Sequence, residues 1–176
     1  EANSATELST VDEVRINEWL ASAPDSADWI ELFNGGANPV DLAELSLTDD
    51  PLIRNRLGFP PHTYLGTGED RWLHMYAHGE PGGGMRHLDF KLSADGEFIT
   101  LLSPRGLTLD EIVFGEQQSD VSEGRFPDGA DETIAFPVPT PGARNVLDSD
   151  RDGIPDEWER TNGLDPFFAG DATLDF

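Results

Sequence analysis

The chain has 176 residues, room for one domain of ordinary size and a short appendage. Its 35 Asp plus Glu against 11 Lys plus Arg give a formal net charge of -24, and such a polyanion is repelled by phosphate backbones and anionic bilayers, which excludes nucleic-acid binding. Hydrophobic content of 37%, with ten Phe and four Trp, supplies a real core, whereas the lack of cysteine excludes a disulfide framework and thiolate chemistry.

No apolar run approaches bilayer length, so no membrane insertion is expected. Lys91 is the only lysine, a bias that suits a calcium-rich exterior or a salty habitat. Glu1 is not an initiator and no basic-then-apolar leader follows it, so the chain reads as a mature or excised piece of a longer protein.

In chain order, residues 1–10 read as a solvated linker. From about Val11 to Phe136, short runs rich in Val, Ile, Leu, Phe and Trp alternate with turn clusters, at the spacing of an antiparallel sandwich. The runs predict strands at Val14–Leu20, Trp29–Phe33, Val40–Leu47, Arg71–Ala77, Leu88–Leu92, Glu97–Leu102 and Leu109–Phe114. Several alternate strictly: Leu88, Phe90 and Leu92 oppose Asp89 and Lys91, while Leu73, Met75 and Ala77 oppose Trp72, His74 and Tyr76. Asn34-Gly35-Gly36, Pro81-Gly82-Gly83-Gly84 and Pro104-Arg105-Gly106 are turn chemistry, and Ser93-Ala94-Asp95-Gly96-Glu97 is the strongest hairpin signal. Pro137-Val138-Pro139-Thr140-Pro141-Gly142 is a stiff exit from the sandwich. The fold class is all-β, with one short helix predicted over about Pro155 to Asn162, where Pro155 suits a first helical position and Gly163 a stop.

Between the exit and that helix lies Asp148-Ser149-Asp150-Arg151-Asp152-Gly153-Ile154-Pro155-Asp156-Glu157-Trp158-Glu159, a complete calcium-loop pattern. A hard cation needs six to eight oxygen ligands in a flexible shell, and this spacing lets one short loop supply them. Asp148, Asp150 and Asp152 are the first ligands, the Ile154 carbonyl follows, Asp156 binds directly or through water, and Glu159 closes the shell with both oxygens. Gly153 permits the sharp turn. An ordinary paired EF-hand is not expected, because Pro155 lacks the N–H that pairs with a partner loop and the proline-rich segment before Asp148 cannot form an entering helix.

This half-hand, with Gly163-Leu164-Asp165-Pro166 and Asp171-Ala172-Thr173-Leu174-Asp175 after it, resembles the bacterial thrombospondin type 3 repeat. In that family such loops come in tandem, and Asp175 looks like the opening ligand of a second one. Upstream, Ile16-Asn17-Glu18-Trp19, Asp28-Trp29-Ile30-Glu31-Leu32-Phe33-Asn34, Val40-Asp41-Leu42, Leu47-Thr48-Asp49-Asp50 and Phe90-Lys91-Leu92-Ser93-Ala94-Asp95-Gly96-Glu97 stand in the order found in the lamin tail domain. Gly124-Arg125-Phe126-Pro127-Asp128-Gly129 and Pro139-Thr140-Pro141-Gly142-Ala143-Arg144-Asn145 continue the likeness. The resemblance implies an immunoglobulin-like antiparallel β-sandwich over 11–145, followed by a partial calcium-binding repeat over 146–176. It also implies a binding or architectural unit of a large secreted or cell-surface bacterial protein.

Other chemistry is weakly specified. His74 and His78 have helical zinc spacing but fall on a predicted strand, so loop or satisfied histidines are expected. Asp28, Glu31, Asp41 and Asp49 are expected to make turns and cross-strand hydrogen bonds, and neither Ser93 nor Ser103 sits in a nucleophile elbow. Trp29 is expected in the core, while Trp72 with Tyr76 could share one face as a glycan platform. The expectation is a non-catalytic spacer or adhesion module, its calcium loop stiffening the junction to flanking domains of the same polypeptide, with a protein or glycan ligand. The alternative is a carbohydrate-binding accessory module of an extracellular hydrolase.

Overall fold

The computed structural model describes residues 7–50, 52–53, 58–80 and 84–173. Among them the strands are β1 (Val14–Leu20), β2 (Asp28–Asn34), β3 (Val40–Asp41), β4 (Ser46–Thr48), β5 (Tyr64–Leu65), β6 (Trp72–Ala77), β7 (His87–Leu88), β8 (Glu97–Leu102), β9 (Thr108–Phe114), β10 (Ser122–Arg125) and β11 (Thr133–Phe136). The helix α1 spans Asp156–Asn162. A six-stranded sheet runs β11-β10-β1-β2-β6-β7, a three-stranded sheet β4-β8-β9, and β3 pairs with β5. All ladders are antiparallel except β6 with β7.

The two larger sheets share one core. Ile16, Ile30, Leu32 and Met75 from one meet Leu47, Ile99, Leu101 and Phe114 from the other, and the Trp19 ring lies 6.0 Å from that of Phe114. Each fully buried side chain of this size contributes about 1.5–3 kcal/mol. The β1–β2 ladder shifts between Ile16 and Glu18, leaving Asn17 as a bulge residue. The core face therefore passes from Val14 and Ile16 to Trp19 and Ala21.

The runs at Val14–Leu20 and Glu97–Leu102 form strands with those bounds, and Trp29, expected in the core, is 5% exposed. Leu73, Met75 and Ala77 are buried, as their alternation requires. The single strand expected over Val40–Leu47 is instead two strands, β3 and β4, which join different partners. Asp41 Oδ1 accepts the Ala43 N–H at 2.9 Å and Glu44 adopts φ +65°, so a side-chain-stabilised turn wins over extension. Of Leu88–Leu92 only Leu88 belongs to a named strand, although Phe90 and Leu92 are still buried. Ser93–Glu97 closes as a tight turn, with Gly96 N–H to Ser93 O at 3.0 Å and no named strand immediately before it. Gly96 is required there, since at φ +99° a Cβ would stand 2.6 Å from the Phe114 carbonyl oxygen. The turn expected at 81–84 lies, apart from Gly84, outside the described residues, as do most of the expected 1–10 linker and Asp175.

The described chain is thus mostly β with one short helix, and no helix is long and apolar enough to cross a membrane.

Candidate cation site

The site hangs from a buried polar clasp that ties the exit segment to the large sheet. Asn145, 1% exposed, donates its Nδ2 to the Arg125 carbonyl at 2.8 Å and its backbone N–H to Asp128 Oδ1 at 3.2 Å. Asn17 donates to Glu31 at 3.0 Å and accepts the Gly129 N–H at 2.9 Å. Glu31 also accepts the Gly142 N–H at 2.5 Å, while Glu18 accepts the Thr140 N–H at 3.0 Å and hydroxyl at 2.8 Å. Both glutamates are fully buried. Burial outweighs these donors and raises both carboxyls, pushing Glu31 up to about 8.

Three residues beyond Asn145 the acidic loop begins. Asp148 Oδ1 accepts the Arg151 N–H at 2.7 Å and Asp148 Oδ2 the Gly153 N–H at 3.0 Å, with Arg151 at φ +64° and Gly153 at φ +94°. Asp152 N–H donates to Asp150 Oδ1 at 3.3 Å, and Ile154 N–H to Asp152 Oδ1 at 2.8 Å. These short side-chain-to-backbone turns wrap the loop around its own carboxylates. The nearest carboxylate oxygens of Asp148, Asp150 and Asp152 all lie within 4.8 Å of one another.

Asp156 lies at the base of the loop. Its carboxylate accepts Ser149 N–H at 2.7 Å, Ser149 Oγ–H at 2.8 Å and Arg160 Nη2–H at 3.0 Å, and its own N–H donates to Leu147 O at 2.8 Å. Asp156 therefore closes the base of the loop against the start of α1. Pro155 precedes the helix in an extended conformation, and Gly163 ends it at φ +80°.

The first turn of α1 carries Glu159 inward, 0% exposed, with neither carboxylate oxygen hydrogen-bonded. Burial, then the charges of Asp150, Asp152, Asp171 and Asp156, push its pKa up to about 7. Asp150 is raised as well, by burial and then by Asp152. Asp152, Glu159 and Asp171 form a second group with ligand oxygens within 4.8 Å, so Asp152 is common to both. Asp150 Oδ2, Asp152 Oδ2 and Asp171 Oδ1 are likewise buried without partners. Several converging, desolvated and unpaired carboxylates are costly without positive charge, so this donor set fits a hard divalent cation.

Sequence spacing brings Asp148, Asp150, Asp152 and Glu159 to this point, with Ile154 beside them in the loop. It does not reveal Asp171, which lies outside the loop pattern and arrives through the turn after α1. Elsewhere, His78 Nε2 contacts His87 Nδ1, while His74 packs between Trp29 and Tyr76, and burial followed by Arg86 lowers its pKa. Among the described residues the groups with metal-ligand spacing are acidic only. The Trp72 indole N–H is taken by Asp128 at 3.2 Å and its ring leans on Phe33 at 43°. A scan against protein-family models and a search of curated proteins give no match for this sequence.

Proposed function

We propose that residues 146–173 are a calcium-dependent joint at the end of a non-catalytic, lamin-tail-like immunoglobulin domain of a secreted or cell-surface protein. The carrying observation is Glu159, wholly buried with both oxygens unpaired beside Asp152 and Asp171. Asp148, Asp150, Asp152, the Ile154 carbonyl and Glu159 would hold the ion, and bound Ca²⁺ supplies the charge that lets these carboxylates stay together. Asp156 positions the loop through Ser149 and Arg160. The clasp at Asn145 transmits loop orientation to the sandwich, so the ion sets the direction in which the following segment leaves. The acidic surface and the thrombospondin-like spacing support an extracellular setting, where millimolar calcium is available.

Calorimetric titration of the full chain with CaCl₂ tests this reading: a saturable heat lost in Glu159→Gln is expected, and no heat with the wild-type chain would overturn it.

A second reading, a carbohydrate-binding accessory module, is supported by a groove of about 800 Å³ lined by Tyr64, Trp72, His74, Met85 and Arg86. Saturable quenching of Trp fluorescence by a soluble glycan, lost in Trp72→Ala, is its test.

A further inference from the structure

The turn that follows α1 folds back on the helix with little apolar reason to do so. Its two largest side chains, Phe167 and Phe168, are 75% and 59% exposed, and only Pro166 is buried among residues 163–170. Polar bonds shape it: Leu164 N–H to Glu159 O at 2.9 Å, Phe167 N–H to Asp165 Oδ1 at 3.2 Å and Asp165 N–H to Asp171 Oδ2 at 2.9 Å. Those bonds deliver Asp171, 7% exposed, to Glu159 and Asp152. Three carboxylates with oxygens within 4.8 Å of one another repel, yet Asp171 Oδ1 and both Glu159 oxygens are buried there without a donor.

We infer that Asp171 is a ligand of the same ion, so that the cation grips α1 from both ends and the site selects Ca²⁺ over Mg²⁺. This rests on the calcium reading of the acidic loop. The five unpaired oxygens are Asp150 Oδ2, Asp152 Oδ2, Glu159 Oε1 and Oε2, and Asp171 Oδ1. With Asp148 and a loop carbonyl they reach the six to eight donors that Ca²⁺ accepts. Mg²⁺ demands a near-ideal octahedron and keeps several waters, which a carboxylate-crowded shell disfavours. The ion thereby fixes the return turn as well as the loop, and residues 163–171 become ordered only when it binds.

The test uses the full chain and its Asp171→Asn variant, which keeps side-chain volume and an oxygen for the Asp165 N–H. Calcium and magnesium are titrated calorimetrically, and chymotryptic cleavage at the exposed Phe167 and Phe168 is followed with and without saturating Ca²⁺. We expect the wild-type chain to prefer calcium by roughly a hundredfold, Asp171→Asn to weaken calcium binding by roughly tenfold or more, as loss of a charged ligand does, and calcium to slow cleavage in the wild type alone. Sandwich melting unchanged in Asp171→Asn shows that the variant folds. Wild-type affinity and protection in Asp171→Asn, with both lost in Glu159→Gln, would overturn the role of Asp171 and leave the calcium site standing. Equal affinity for the two metals would overturn the selectivity. Absence of calcium binding to the wild-type chain would remove both this inference and the reading on which it rests.

Discussion

Asp110 meets the Arg125 guanidinium with both carboxylate oxygens, at 2.9 and 3.1 Å, and so bolts β9 of the smaller sheet to β10 of the larger. The same carboxylate accepts the Ile16 N–H at 2.8 Å, next to the bulge in β1, and Arg125 Nε donates to the Ile16 carbonyl at 2.8 Å. One ion pair thus satisfies backbone groups that the irregular ladder frees. Asp110→Ala leaves a buried guanidinium without its counter-charge and is expected to destabilise the sandwich by about 3–5 kcal/mol in urea unfolding. A loss below about 1 kcal/mol would show the pair to be a surface-type contact.

The clasp makes a separate prediction. Asn145→Ala orphans the Arg125 carbonyl and removes an acceptor for Thr140, at an expected cost of about 1–3 kcal/mol. Calcium affinity should fall little, because the loop ligands are intact. Fluorescence anisotropy of a probe attached beyond residue 173 should nevertheless drop with calcium bound, since the joint has lost its fixed base.

Loop ligands should behave in the opposite way. Asp148→Ala and Glu159→Gln are expected to abolish the calcium-dependent protease resistance of residues 146–173 while sandwich melting stays nearly unchanged. The wild-type dissociation constant should lie on the order of 10⁻⁴ to 10⁻³ M, the range of extracellular modules. If sandwich melting in these variants fell as far as on chelation, the loop would belong to the core.

Glu31 sets a pH dependence. Its folded pKa of about 8 stands above the unfolded value of 4.5, so the folded state holds this proton more tightly. The contribution is complete below about pH 4.5 and is lost as pH rises through about 8. Melting temperature, measured without calcium, should therefore fall from pH 5 to pH 9. Glu31→Gln should flatten part of that slope, and Glu18, raised in the same direction, accounts for a further part. A Glu31→Gln profile parallel to the wild type would refute the assignment.

β6 was legible because burial on one face imposes a period of two, and β8 because its apolar run is bounded by turn chemistry. β10 was not, since Ser122-Glu123-Gly124-Arg125 carries no apolar residue and is held by Ser122 on Glu18, at 2.5 Å, and by Arg125 on Asp110. β5 is short and owes its place to β3, distant in sequence, while β11 owes its place to the preceding strand β10, which sends no apolar signal. In the site, ligands within one loop announce themselves by spacing, because a single turn geometry delivers them all. Asp171 depends on a helix, a left-handed cap at Gly163 and a polar return turn, and no fixed interval encodes that sum. Asp156, at a loop position that matches the ligand pattern, also accepts hydrogen bonds from Ser149 and Arg160, which spacing alone does not announce.

The extra residue at Asn17 divides β1 into two half-strands of opposite parity: even positions Val14 and Ile16 face the core before it, odd positions Trp19 and Ala21 after it. Its amide also plugs the space between Glu31, Asp128 and Asn145. β1 consequently gives one residue to the polar clasp while its pairing continues on either side. Deleting Asn17 would close the ladder with Trp19 still opposite Ile30 on the core face, and would remove instead the amide that Glu31, Asp128 and Gly129 share.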